Sequence, residues 1–271
     1  MRPLRDMPDA AAAAVRVVFA DIDDTITHEG RLPARAYRAL EELHEAGLAV
    51  APVTGRPAGW CDMIARFWPV DGVVGENGAF YFAYNRDQKR MRRVFAASDD
   101  ERRVNRAHLD RVRDRVLAEV PGAAVAGDQL SREADLAIDF CEDVAPLDKA
   151  AIARICAIFA QEGAIAKVSS IHVNGWYGHY DKLTTARRFA ADILGLDLDR
   201  DREQIVYVGD SPNDAPMFGF FPLGCGVANV LRFRGEMEAE PAYVASAEGG
   251  FGFVEVAERV LGARRAVGSA P

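Results

Sequence analysis

The sequence predicts an α/β protein: an open, mostly parallel sheet with helices on both faces, interrupted by one inserted α+β segment. Short apolar, β-branched runs alternate with amphipathic helical stretches towards both ends of the chain, the pattern of repeated βα units. Two of these runs, VRVVFADIDDTIT (15–27) and QIVYVGD (204–210), break off in aspartate, as a buried strand does when it delivers polar groups to a sheet edge. From about residue 85 the alternation lapses, arginines crowd the chain, and two longer helices are separated by strands of their own. Residues 1–84 and 178–271 are therefore expected to form a Rossmann-like core, and residues 85–177 a second domain set into it.

After the first acidic run, residues 33–46 place Ala36, Leu40 and Leu43 on one helical face, closed by Gly47. The second apolar run (48–53) breaks into Thr54-Gly55-Arg56-Pro57, and Pro57 opens a helix that runs on towards Phe67. Residues 71–74 supply a third strand. In the insertion, Val104, Leu109, Val112, Val116 and Val120 recur at near-helical spacing, and residues 135–140 alternate as a strand with one solvated face. A second helix there carries Leu147, Ala151, Ile155 and Phe159, and residues 164–178 give one or two strands. Back in the core, a helix holds Leu183, Ala186, Ala190 and Ile193, followed by QIVYVGD, LGCGVAN, a strand near Tyr243 and a helix over 253–261. The last residues, 263–271, read as a frayed tail.

With 271 residues, 49% hydrophobic and 27% charged, the chain can bury a full core. Its formal charge of -8 provides no global positive field for nucleic acid or an anionic membrane surface. No apolar run approaches the roughly 20 residues that span a membrane. Cys61, Cys141, Cys156 and Cys225 form no C-x-x-C pair, so neither a zinc site nor a disulfide framework is suggested, and reduced thiols and a cytoplasmic location are expected. Arg2, Arg5 and the alanines at 10–14 faintly resemble a secretion leader. Asp6 and Asp9 break its basic region, however, and Arg16 its apolar one.

Asp21 and Asp23 are one residue apart, so on an extended chain their side chains point the same way with Cα atoms about 6.5 Å apart. A phosphoryl group or a metal fits between them. Buried carboxylates this close resist ionising together unless a cation holds them. Thr54, Lys182, Asp210 and Asp214 stand at the exits of other elements, where open α/β sheets place ligands. Hard carboxylate oxygens with no histidine or thiolate nearby favour Mg²⁺ over zinc. Ser211 lacks the flanking G-x-S-x-G of a hydrolase elbow, and no G-x-G-x-x-G marks a dinucleotide site.

Together DIDDT, VTGR, DK and GDSPND resemble the four motifs of the haloacid dehalogenase superfamily of phosphohydrolases, in their usual order. The insertion resembles the large α/β cap of the sugar-phosphatase branch, which includes sucrose-phosphate and mannosyl-phosphoglycerate phosphatases. The resemblance implies a Mg²⁺-dependent phosphatase acting on a small-molecule phosphate ester, with no nucleic-acid or membrane partner. Asp21 would be the nucleophile, forming an aspartyl-phosphate, and Asp23 the acid and base. Mg²⁺ would be held by the Asp21 carboxylate, the Asp23 carbonyl and Asp210, with Asp214 orienting a metal-bound water or Lys182. Thr54, Gly55, Arg56, Lys182 and Asn213 would bind the phosphate or substrate. A phosphomutase and a non-catalytic binding protein on the same fold stay open as alternatives.

The resembled family has glycine where this chain has Asp24, and aspartate is among the few residues that tolerate a left-handed turn there. We expect its carboxylate to point away from phosphorus. In the cap, His172 and Asn174 alternate along IHVNG and so share a face, which makes them candidates for substrate contact. Glu76-Asn77-Gly78 is a second candidate rim. The cap arginines either meet a second anionic group or form a solvated face.

Overall fold

The computed structural model describes residues 1–268. The chain opens with a two-residue strand, β1 (Arg2–Pro3), and a short helix, α1 (Asp9–Ala13), before β2 (Val17–Ala20). There follow α2 (Ala34–Glu45), β3 (Ala49–Pro52), α3 (Ala58–Phe67), β4 (Val73–Gly75) and a hairpin of β5 (Phe80–Asn85) and β6 (Arg90–Phe95). The next stretch holds α4 (Asp99–Glu119), β7 (Ala124–Val125), β8 (Leu136–Asp139), α5 (Lys149–Gln161), β9 (Ile165–Val168) and β10 (His172–Trp176). The chain then returns through α6 (Lys182–Phe189), α7 (Leu198–Asp201), β11 (Ile205–Gly209), α8 (Ala215–Phe220), β12 (Leu223–Gly226), β13 (Tyr243–Val244) and α9 (Gly249–Gly268).

Six strands form one parallel sheet in the order β1-β13-β12-β11-β2-β3. Its two faces are built by the two-residue period of the strands. Val18 and Ala20 of β2, with Val206 and Val208 of β11, pack against Leu40 and Leu43 of α2 and Phe253 and Val256 of α9. Val17 and Phe19, with Ile205 and Tyr207, pack on the other side against Phe189 of α6 and Met217 and Phe218 of α8. Near-continuous apolar strands are what burial on both faces requires.

The insertion has a core of its own. The antiparallel sheet β7-β8-β10-β9 lays Ile138 and Val173 on Leu109, Val112 and Val116 of α4 and Ile155 and Phe159 of α5. The opposite face of β10, carrying His172, Asn174 and Trp176, is turned to the main domain, where Trp176 joins the first core cluster and stacks on Tyr180. The return strand of the hairpin, β6, lies within 85–177, yet its Phe95 packs on Phe80 and Phe82 of β5.

Several expectations change. The third strand does not extend the parallel ladder: β4 meets the segment after β3 at a single bridge, Val53–Val74, and pairs antiparallel with β5. One reason is local, since the Asp71 carboxylate takes the Val50 N–H at 2.8 Å that a strand partner would otherwise accept. Val104 is 56% exposed rather than part of the apolar face, because it lies five residues, or about 140° round the helix, from Leu109. Leu136–Asp139 has no solvated face, since its second side is covered by the main domain. The closing helix begins at Gly249 and continues to Gly268, so the tail is helical that far, and residues 269–271 lie outside the described residues. Among the described residues no helix is long and apolar enough to cross a membrane.

Candidate active site

β2 and β11 are central neighbours, and their continuations diverge: α2 leads to β3 on one side and α8 to β12 on the other. Such a divergence opens a crevice beyond the strand ends. The Asp21 N–H donates to Val208 O at 2.9 Å, so Asp21 and Asp210 leave adjacent strands side by side. Lys182 enters from the first turn of α6, whose start is fixed by Asp181 accepting the Thr184 N–H at 2.6 Å. Its Nζ lies 3.1 Å from Asp21 Oδ2 and 2.7 Å from Asp214 Oδ1, with the side chain 3% exposed.

Asp214 has no free oxygen. Oδ1 accepts Lys182 Nζ and the Tyr207 hydroxyl at 2.7 and 2.5 Å, and Oδ2 accepts the N–H groups of Asp210 and Ser211 at 3.0 and 3.3 Å. This approach needs glycine at 209, where a Cβ would stand 2.4 Å from Asp214 Oδ2. Asp210 accepts from the Thr25 hydroxyl at 3.1 Å and from Asn229 Nδ2 at 3.3 Å. Asn229 also donates to the Asp24 carbonyl at 2.9 Å and accepts the Gly249 N–H at 3.1 Å, tying the turn after β2 to the start of α9.

One oxygen each of Asp21, Asp210 and Asp214 falls within a 4.8 Å span, and all three residues are buried. Burial, reinforced by Asp214 and Asp23 and opposed by Lys182, pushes the Asp21 carboxyl up to about 7. Burial and the neighbouring Asp214 and Asp21 push Asp210 well above the usual carboxylate range. Lys182 alone does not compensate this cluster. A divalent cation fits the donor set, and Asp21 and Asp210 could hold it, because each Asp214 oxygen already accepts two hydrogen bonds while each of theirs meets one donor.

Asp24 takes the expected left-handed conformation, at φ 54°, and its N–H donates to Thr27 Oγ1 at 3.0 Å. Thr54 is buried, its Oγ1 accepting the Arg56 N–H at 3.0 Å. Arg56 turns to Asp23, donating from Nε to both carboxylate oxygens at 2.9 Å, and its guanidinium stacks on Trp60 at 4.4 Å. Asn213 shares the turn of Asp214, its Oδ1 accepting the Ser211 hydroxyl at 2.7 Å. His172 and Asn174 are both buried: Nε2 of the first lies 2.9 Å from Glu142 Oε2, and Nδ2 of the second donates to Asp135 Oδ2 at 3.0 Å.

Glu76 forms no open rim but a buried junction. Its carboxylate accepts the N–H of Ala58, at the start of α3, and those of Glu133, Ala134 and Asp135 from the insertion, at 2.6 to 3.1 Å. Beside it the fully buried Arg132 pairs with Asp128 and Asp135 and donates to Gly55 O at 2.9 Å. Of the arginines on the hairpin and α4, Arg92, Arg93, Arg102 and Arg103 pair with surface acids, and Arg106 bonds the carbonyls of Asp135 and Arg132. Sequence reasoning missed Tyr207, Thr25, Asn229, Arg132 and Glu142.

Residues 18–106 match the family model of the haloacid dehalogenase-like hydrolases. That stretch carries the likeness to the family in sequence. Solved structures repeat the haloacid dehalogenase-like fold together with its insertion. One from Thermoplasma acidophilum is 17% identical with a TM-score of 0.68, covering 91% of this chain and 98% of its own. The sucrose-phosphatase of Synechocystis, solved with sucrose and phosphate, is 14% identical with a TM-score of 0.60, covering 90% and 97%. A trehalose-6-phosphate phosphatase related protein is 17% identical with a TM-score of 0.59, covering 92% and 99%. No curated protein matches the chain in sequence.

Proposed function

We propose that the protein is a Mg²⁺-dependent phosphatase that hydrolyses a small phosphate monoester, a sugar phosphate or related metabolite, through an aspartyl-phosphate on Asp21. The reading rests on Lys182, a buried ammonium set between Asp21 and Asp214 at the ends of two central parallel strands, beside a third buried acid, Asp210. Lys182 orients the Asp21 carboxylate and offsets charge where a phosphate dianion enters. Asp214 keeps Lys182 charged and aimed. Attack by Asp21 forms the aspartyl-phosphate and so splits one displacement into two easier ones, with Asp23 protonating the leaving oxygen in the first and taking a proton from the attacking water in the second. Thr54 and the Gly55–Arg56 turn line the phosphoryl side, with Asn213 opposite. A Mg²⁺ held by Asp21 and Asp210, with the Asp23 carbonyl, would offset the clustered acids and polarise a phosphoryl oxygen.

A sugar phosphate is favoured by the likeness in fold to the Synechocystis sucrose-phosphatase and by the size of the insertion over the crevice, which can exclude water and select the leaving group. The test is phosphate release from a panel of sugar phosphates, with Mg²⁺ and with chelator. Turnover in Mg²⁺ alone is expected, with a loss of at least about 10³-fold in Asp21→Asn. Isomerised sugar phosphate without free phosphate would mean a mutase. An Asp21→Asn protein as active as the wild type would remove the reading.

A further inference from the structure

The Asp23 carboxylate is gripped by one guanidinium, and that guanidinium is gripped by the insertion. Arg56 Nε donates to both Asp23 oxygens at 2.9 Å, and Nη2 lies 2.8 Å from Oδ1. Nη2 also donates to Glu142 Oε1 at 2.9 Å, while Nη1 is 3.4 Å from Asp128 Oδ2. Glu142 is itself fixed twice. Its Oε2 faces His172 Nε2 at 2.9 Å. The turn that presents it is braced by Asp139, whose buried carboxylate accepts the N–H groups of Cys141, Glu142 and Asp143 at 2.9, 2.7 and 2.8 Å. A second line of contacts runs from Arg56 through Asp128, Arg132 and Asp135 to Asn174. His172 and Asn174, on one face of β10, thus end two branches that meet at Arg56.

Fork-shaped donation to both oxygens fixes the plane of a carboxylate as well as its place. An acid catalyst must reach within about 3 Å of the oxygen it protonates, and a misplacement of about 1 Å is worth about 10²-fold in rate. Burial alone would lower the Arg56 pKa, but Asp23 and Glu142 outweigh it and hold the guanidinium above its usual range. We propose that Glu142 is a positioning residue: through Arg56 it orients Asp23, so that proton transfer to the leaving group depends on docking of the insertion. The proposal rests on the phosphatase reading for its chemistry, and on the Arg56 contacts for its coupling.

The test compares an alkyl phosphate, whose leaving oxygen needs a proton, with p-nitrophenyl phosphate, whose leaving group departs without one. For Glu142→Ala, kcat on the alkyl ester is expected to fall about 30-fold with KM within about threefold, and kcat on the aryl ester to change less than about threefold. Glu142→Gln, which keeps an oxygen facing Arg56, is expected to recover most of the loss. Equal losses on both esters, a change confined to KM, or no loss would overturn the proposal. Melting of Asp23→Asn, Glu142→Ala and the double variant supplies a readout independent of turnover. Shifts that do not add are expected because both carboxylates share Arg56, and additive shifts would overturn the coupling. A wild type inert on both esters removes the phosphatase reading, and the melting cycle alone then decides the coupling.

Discussion

At the scale of single residues, the site is a problem in charge placement. Asp21, Asp210 and Asp214 are buried together, and the one lysine among them reaches only Asp21 and Asp214, so an added divalent cation is expected to stabilise the fold as well as serve turnover. At a concentration of 100 times its dissociation constant, Mg²⁺ would add about 2.7 kcal/mol. The prediction is a melting temperature that rises with Mg²⁺ and falls with chelator in the wild type, with little response in Asp210→Asn. Glu142 gives a pH prediction. The close approach of His172, opposed by partial burial and aided by Arg56, holds its carboxyl down to about 2 from the usual 4.5. A depressed acid stabilises the fold fully above its unfolded value and loses that contribution as pH falls through the folded one. Wild-type stability should therefore drop more steeply than that of Glu142→Gln between pH 4.5 and 2, read as melting temperature in matched buffers.

At the scale of elements, the connection between β4 and β5 carries strain with a purpose. Glu76, Asn77 and Gly78 all take positive φ, at 42°, 54° and 104°, and in doing so turn the Glu76 carboxylate into a pocket of four N–H donors. Burial, then Asp135, pushes this carboxyl up to about 7 against the pull of Arg132 and the amides. Glu76→Gln would set an NH₂ group against two N–H donors and is expected to lower stability by about 3 kcal/mol in urea titration. Gly209→Ala, by forcing Asp214 away, should release Lys182, seen as loss of phosphate turnover in a protein that still folds.

The parts legible in the sequence were those with local signatures. Asp21, Asp210 and Asp214 end or follow apolar runs, and Lys182 follows an N-capping aspartate, so their type and position already suggested a crevice. Tyr207 looked like one more core aromatic in IVYVGD, because only the fold brings its hydroxyl to Asp214. Glu142 is 86 residues from Arg56 and sits in no pattern, so its role exists only once the insertion is docked. The β4 strand was misplaced for a similar reason: its edge bond is taken by a side chain, Asp71, which a hydropathy pattern does not register.

For the whole molecule, two hydrophobic bodies meet across a polar seam. The cluster around Phe159 and Val173 belongs to the insertion alone, while beside the Trp176–Tyr180 stack the seam is lined by Arg56, Arg132, Asp128, Asp135, Glu142 and Glu76. The Arg132 side chain is fully buried between two acids, so Arg132→Met leaves Asp135 without a cation and is expected to destabilise by about 3 to 5 kcal/mol. Hydrogen exchange should localise that loss to residues 126–136 and to the Gly55 turn, with the insertion's own helices α4 and α5 still protected.

Trp60 lies with its indole against the Arg56 guanidinium, 42% exposed, at the point where the two bodies touch. An indole responds optically to a charge placed on or lifted from its face. With Trp68 and Trp176 replaced by phenylalanine, Trp60 becomes a built-in reporter of the seam. Rapid-mixing fluorescence could then show, without any attached label, whether the Arg56 contact is altered during turnover.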